Sequence, residues 1–495
     1  MGGKRDITRS SVHAAIYFAS LCLLVISLPS SRYFITISLL LLSANWLAEG
    51  KIREKLRSFL SNSPAVAFSM IYLLYLVGLA WSSDVGYALH NDLLHKSPTL
   101  FMPLIIATSP RLQPRRVKLL MLLFIGSVLV VSLTGIIIRL FMPESSFRDA
   151  SPFMPGIYFG MMLILAAFNL PVLIRSYTSD TKLMVAGLVI SAWFIFFLFY
   201  LRALSGIASF AGVLVMLLYI MVKRVRPVFY RIIIVASFLA LAALFLWPVV
   251  NIYRQTHSEI ETNFGSLDRF TEAGNQYTHD TLNLLRENGH PVYLYISEEE
   301  LREAWSERSD LDFYGNDLSG HETRYTLYRY LASKGLRKDR QGLISLDNSE
   351  IREVEKGTTN YRNIGRRGFY IRVYEEFTGL YLYKKSGYTE ASWSSVTQRA
   401  DQFRAAMEAF KKHPLFGWGT GSILKAMDYG FEKNNSELRG LNMKPHNQYL
   451  YLLLTLGVTG LAIFLLLYTW FVVKSGSAGN LMFRIFLVVF AINFY

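Results

Sequence analysis

Cysteine is all but absent. Cys22 is the only one in 495 residues, which excludes an intramolecular disulfide and argues against a thiolate metal site. Acidic residues are missing where the chain is most apolar. The hydrophobic runs hold essentially no Asp or Glu in their interiors, so a carboxylate-held metal inside a membrane is not indicated. No P-loop, GxGxxG fingerprint, internal repeat or low-complexity tract is present. No small-x-small cleavage site follows the first apolar run before the next begins at Tyr33, so that run reads as an uncleaved helix and not as a secretory signal.

What the sequence does have is length of apolar chain. It is 52% hydrophobic and 14% aromatic, with repeated runs of about twenty apolar residues, the span of a bilayer core. The fold expected is an all-α polytopic membrane protein with about eleven to twelve transmembrane helices. Candidate spans are 12–30, 33–49, 64–82, 99–110, 117–140, 156–174, 183–201, 203–222, 232–251, 456–473 and 480–495. The fourth is short. The last stops at Tyr495 without a polar tail, which suggests a span cut short or a missing twelfth helix. The expected organisation is a membrane domain over 1–253, a loop domain over 254–445 and C-terminal transmembrane helices over 446–495.

Charge orients these spans. The chain carries a net +15, yet residues 254–445 hold 27 Lys or Arg against 28 Asp or Glu, so the basic excess belongs to the apolar part. With the N-terminus inside, seventeen Lys and Arg fall on the cytoplasmic side, from Lys4 and Arg5 to Arg226 and Arg231. Only Arg32, Lys96, Arg139, Arg148 and Arg202 remain for the short loops opposite. That is a strong positive-inside bias, and it makes a nucleic-acid partner unnecessary. In a bacterium the chain would sit in the inner membrane, in contact with its lipids, and the far side would be the periplasm.

Three features stand out against this background. Leu183 to Val222 holds one formal charge, Arg202, with nineteen residues before it and twenty after. Read as a hairpin folded at RALSG, with Ser205 and Gly206 easing the turn, it puts the guanidinium at the periplasmic surface. Residues 395–422, SVTQRADQFRAAMEAFKKHPLFGWGTGS, read as a helix carrying Arg399 and Arg404, stopped by Pro414 and followed by glycines at 417, 419 and 421 that let the backbone approach something closely. Residues 444–467, KPHNQYLYLLLTLGVTGLAIFLLL, start at the polar His446 and Asn447 and run into a span, which sets the imidazole at the level of Arg202. The same loop segment contains SEEELREAWSERSD, read as a solvated helix, and HETRYTLYRYLASKGLRKD, with helical spacing. Its modest apolar content favours packing on the membrane part over an independent fold.

Each residue has a plainer role available: Arg202 as a headgroup anchor, Arg399 or Arg404 as an exposed helix face, His446 as a capping residue. Spacing alone does not separate Arg399 from Arg404. Together, two fixed cations and a titratable base on one face suit a lipid-linked pyrophosphate and the deprotonation of a sugar hydroxyl.

HPLFGWGTGS followed by HNQYLYLLLTLGVTGLAIF resembles the signature region of bacterial O-antigen ligases and Wzy-type O-antigen polymerases. RALSG resembles their arginine hairpin, and TLYRYLASKGLRKD is similar to long-loop O-antigen ligase-like proteins of the Bacteroidetes type. The resemblance implies an integral inner-membrane glycosyltransferase that takes a glycan from undecaprenyl diphosphate in the periplasm. The acceptor is lipid A-core for a ligase and another lipid-linked repeat for a polymerase. It further implies Arg202 and Arg399 as the diphosphate-binding residues, choosing Arg399 over Arg404, and His446 as the catalytic base, with no cofactor and no metal. Arg139 is a weaker candidate for a third phosphate contact. Protein as the acceptor, or a transporter or flippase, are the competing readings.

Overall fold

The computed structural model describes residues 9–141, 151, 153–201, 203–366 and 369–494. All eleven apolar runs carry a helix, and the all-α polytopic class stands. Among the described residues, fewer than eleven helices are long and apolar enough to cross a membrane: eight are, or nine if Arg32–Glu49 and Ile52–Ser61, bent by 114°, count as one. Pro98–Thr108 and Leu481–Phe494 have 11 and 14 residues, short of the roughly 20 that a 30 Å hydrocarbon core requires.

By packing the chain divides into two units. The first comprises Met1–Arg226, Gln402–Asn434 and Arg439–Tyr495; the second comprises Pro227–Asp401 and Asn435–Leu438. The expected boundaries at 253 and 445 followed polarity, whereas packing follows contact. Val228–Thr256 belongs to the second unit because its Val249 and Ile252 pack on Val373, Tyr374 and Phe377 of Phe369–Lys385.

Among the described residues, the regular elements of the first unit are all helices. Its centre is the helix Gly156–Arg175, whose Phe159, Leu163, Ile164 and Ala166 are fully enclosed by Phe194, Phe197 and Leu198 of Thr181–Tyr200 and by Val213 of Leu204–Arg224. Trp193 Nε1 donates to Ser132 Oγ at 2.9 Å across two helices, the kind of polar tie that apolar surroundings favour. Of the hairpin expected at RALSG, the flanking helices Thr181–Tyr200 and Leu204–Arg224 are described, while Arg202 lies outside the described residues. Ser205 and Gly206, expected to ease the turn, instead lie in the first helical turn. Gly206 is there for contact: a Cβ on it would stand 3.2 Å from Gly160 Cα and 2.5 Å from Leu198 Cδ1. Paired glycines let two helix backbones meet where any side chain would hold them apart.

The second unit builds a core of its own, against the expectation that modest apolar content would leave it dependent on the membrane part. Trp305, Leu327, Tyr330, Leu331, Leu343 and Val354 are all completely buried in it. The supposedly solvated helix, Glu298–Ser306, is amphipathic and contributes Leu301, Ala304 and Trp305 to that core. A two-residue hairpin joins Arg286–Glu287 to His290–Pro291, with Asn288 and Gly289 at φ +50° and +94°, the left-handed pair that tight hairpins use. Beneath it the buried Glu287 carboxylate receives Arg329 Nε at 2.7 Å, Asn360 Nδ2 at 2.6 Å and the Tyr374 hydroxyl.

Lys338 is 3% exposed and donates to the Pro291 carbonyl at 3.1 Å; burial pushes its ammonium down to about 7, against the opposing pull of Asp339. Between that value and the ordinary lysine range the unfolded chain binds more protons than the native one, so stability rises with pH across this window. The expected result is that Lys338→Met is the more stable protein at pH 7, and that its advantage shrinks as pH rises towards 10, by up to about 1.4 kcal/mol per pH unit. Thermal unfolding of the two purified proteins across that range checks this; parallel profiles would refute it.

Candidate functional site

The glycine segment and the His446 helix are one construction. Gln448–Lys474 is broken at Gly457, which takes φ +68°, ψ −170°. In an unbroken helix the Val458 and Thr459 amides would bond the Leu454 and Thr455 carbonyls. Here Val458 N donates to Pro414 O at 2.9 Å and Thr459 N to Leu415 O at 3.2 Å. The orphaned carbonyls accept from the glycine segment in turn: Leu454 O from Trp418 N at 2.7 Å and Thr455 O from Gly419 N at 2.9 Å. Residues 414–419 therefore replace the two lost helical bonds with four of their own. An apolar span tolerates a break only where protein meets the freed backbone groups.

Glycines 417, 419 and 421 take φ of +70°, +91° and +91°, and each faces backbone. A Cβ at Gly417 would lie 2.6 Å from Leu454 O, at Gly419 2.8 Å from Trp81 O, and at Gly421 2.3 Å from Asp84 O. Gly417 thus faces the broken Gln448–Lys474 helix, while Gly419 and Gly421 face the 3-10 segment Gly78–Trp81, which extends helix Ser63–Val77, and the loop that follows it. Thr420, fully buried, donates from its amide to Gly78 O at 3.0 Å and from Oγ1 to Tyr75 O at 2.8 Å. Ser422 Oγ accepts from Ser83 N at 2.9 Å, and Trp81 Nε1 donates to Phe416 O at 3.0 Å.

This framework surrounds a buried charge. Ala88–Leu93 forms a π-helical turn, a widened geometry found often at functional sites, and it presents Asp92, 2% exposed. Asp92 Oδ1 accepts from Lys96 Nζ at 3.2 Å and from the Tyr451 hydroxyl; Oδ2 accepts from Gly421 N at 2.9 Å. The Lys96 ammonium also lies over two rings, 4.6 Å from the centre of Tyr75 and 4.4 Å from that of Tyr451, contacts a desolvated cation makes favourably. Burial holds Lys96 below the ordinary lysine range; Asp92 opposes the shift, and Lys444 adds to it. Lys444 in turn rests 4.9 Å from the ring centre of Tyr87. One carboxylate thus ties together the π-turn, the glycine segment and the first turns of the His446 helix.

Removing one partner of such a pair leaves the other buried and uncompensated, at about 3–5 kcal/mol. Asp92→Ala is expected to lose that much, because Lys96, the Tyr451 hydroxyl and the Gly421 amide all lose their acceptor. The double variant Asp92→Leu with Lys96→Met, which removes both charges, is expected to recover much of the loss. Thermal stability in detergent provides the check, and additive losses in the double variant would sink the idea.

Of the residues singled out in the sequence, His446 is exposed and lies immediately before Asn447, whose side chain caps the helix by accepting from Tyr449 N at 2.8 Å and Leu450 N at 3.0 Å. Asn447, not the histidine, makes the cap. Arg399 is exposed on helix Ser395–Lys412, in the part assigned to the second unit, while Arg404, half-buried on the same helix, falls in the first. Arg202 lies outside the described residues. Arg139 is half-buried in the last turn of Pro114–Phe141. Sequence reasoning missed Asp92, Lys96 and Tyr451. The available signal was the i, i+4 pair of opposite charges in LHNDLLHK, set in a short stretch between apolar runs.

The family model for O-antigen ligase matches residues 352–465. The match takes in the Ser395–Lys412 helix, the glycine segment and the broken helix through the point of repair. Comparison with curated proteins and with solved structures found no match. Over residues 352–465 the chain is similar to the O-antigen ligase family.

Proposed function

We propose that the protein is a glycosyltransferase of the ligase type, moving a glycan from undecaprenyl diphosphate to a sugar hydroxyl of lipid A-core on the periplasmic side of a bacterial inner membrane. The observation that carries this reading is the position of His446. It falls inside the family match, at the mouth of a helix whose next turns are clamped by Asp92 and whose backbone is rebuilt by the glycine segment. A general base needs such a fixed mount, since a small displacement of a reacting group costs rate steeply.

In this mechanism Arg202 and Arg399 grip the diphosphate and neutralise the charge that grows on it as the glycosidic C–O bond breaks. His446 takes the proton of the acceptor hydroxyl, whose oxygen attacks the anomeric carbon in line, so the configuration inverts. The diphosphate leaves as an anion already stabilised by two guanidinium groups. No metal enters, and the donor needs no nucleotide. Arg139 is a candidate third contact to phosphate.

The test is transfer by the purified protein from lipid-linked glycan in EDTA, with the anomeric configuration of the product determined. A strict metal requirement or retained configuration would overturn the mechanism. A strain lacking the gene separates the acceptors. Long polymer stranded on the lipid carrier supports ligation to lipid A-core, while lipid A-core bearing at most one repeat unit assigns the chain to polymerisation instead.

A further inference from the structure

Helices Leu204–Arg224 and Leu481–Phe494, both in the first unit, run antiparallel and are closed at one end and open at the other. At the closed end Asn493 Nδ2 donates to Ser209 Oγ at 2.6 Å, and a Cβ on Gly212 would meet Ile492 Cδ1 at 2.3 Å. Towards the other end a cleft of about 630 Å³ opens between them. Its walls are apolar, with Met216, Leu487 and Val488 among them, and its rim carries Lys223, Arg224 and Arg484. Among the described residues no carboxylate lines it. Lys223 lies 4.8 Å from the ring centre of Tyr219, which also borders the cleft. Arg484 commits only its Nε, to the Ala478 carbonyl, leaving its terminal nitrogens for another acceptor.

Basic residues at helix ends are expected from membrane insertion alone. Insertion does not require them to converge from two helices, far apart in sequence, over one apolar cleft. We propose that this cleft binds an anionic glycerophospholipid, with its phosphodiester among Lys223, Arg224 and Arg484 and an acyl chain along Met216, Leu487 and Val488. The volume suits a headgroup with the first part of its chain, and clusters of cations beside a membrane helix select anionic lipid. Free phosphate would satisfy the cations but leave the apolar walls unfilled, so the lipid is the better occupant. The site is independent of the proposed transfer chemistry: none of its residues belongs to that machinery.

The experiment measures binding of phosphatidylglycerol, phosphatidylcholine and inorganic phosphate to the purified protein in detergent, by native mass spectrometry with a thermal-shift titration in parallel. The variant Lys223→Gln/Arg224→Gln/Arg484→Gln is compared with Arg115→Gln/Arg116→Gln/Lys118→Gln, which removes as many charges from another helix end. The expected result is selective phosphatidylglycerol binding, weakened about a hundredfold in the cleft variant and essentially unchanged in the other, with no competition by phosphate. Leu487→Trp fills the cleft without touching its charge and is expected to weaken binding as well. Equal losses in the two triple variants, equal binding of phosphatidylcholine, or full displacement by phosphate would each overturn the proposal. Should the cleft triple variant fail to fold, unaltered phosphatidylglycerol binding by Leu487→Trp would overturn it.

Discussion

Gly457→Ala is expected to abolish recoverable folded protein. The residue sits at φ +68°, ψ −170°, a region only glycine enters without strain, at a cost of order 1–3 kcal/mol for any other residue. Strain is the smaller part. The added Cβ would lie 2.1 Å from Leu415 O, 2.3 Å from Leu415 C and 2.6 Å from Phe416 N. These are backbone atoms of the segment that completes the broken helix, so they cannot yield without releasing the bonds to Val458 and Thr459. Two amides and two carbonyls in an apolar span would then lack partners, at about 1–3 kcal/mol each. Together these costs match or exceed the whole stability of an ordinary domain. Gly421→Ala is expected to fail in the same way against Asp84 O and the Asp92 carboxylate's contact to its amide. Gly479→Ala, where nothing lies within 4 Å, is the control. Size-exclusion profiles of detergent extracts report the outcome, and a normal monodisperse peak with wild-type melting for Gly457→Ala would refute the repaired-helix account.

Alanine at His446 is expected to lower transfer from lipid-linked glycan by about 10²–10⁴-fold, the usual worth of a positioned general base, with folded protein at the wild-type level. The histidine is exposed and the cap is made by Asn447, so the substitution removes no helix-capping bond. The arginines separate on the same assay. Arg399→Ala and Arg202→Ala should each cut the rate strongly, and lysine at either position should restore it only in part, because a point charge does not reproduce the bidentate fork. Arg404→Ala should leave transfer within a few fold. Undiminished transfer by the His446, Arg399 and Arg202 alanine variants, at normal folded levels, would remove these residues from the site.

The differences between sequence and structure have identifiable physical causes. Periodicity and length place helices, because a helix is a local object; hence all eleven apolar runs became helices, most of them within a few residues of their expected bounds, although the one expected at 456–473 begins at Gln448. Whether a helix crosses a membrane depends on where it begins and bends, and Pro98–Thr108 proved too short. Glycines at 417, 419 and 421 announced a close approach without saying to what. Ser205 and Gly206 looked like turn residues because a hairpin needs a turn nearby; the close partner of Gly206 is Gly160, 46 positions away. Glu298–Ser306 looked solvated because its charges outnumber its apolar residues, although three apolar residues on one face suffice to enter a core.

By itself the sequence determined the class, the helices, the expected orientation and the family signature, since each rests on composition, local spacing or a contiguous motif. Only the tertiary structure decided that HPLFGWGTGS completes the backbone of the broken Gln448–Lys474 helix, and that Asp92, Lys96 and Tyr451 meet across 359 positions of chain. Hydrogen bonds between distant backbone groups carry no side-chain pattern, and a buried ion pair is written in one-dimensional text no differently from an exposed one.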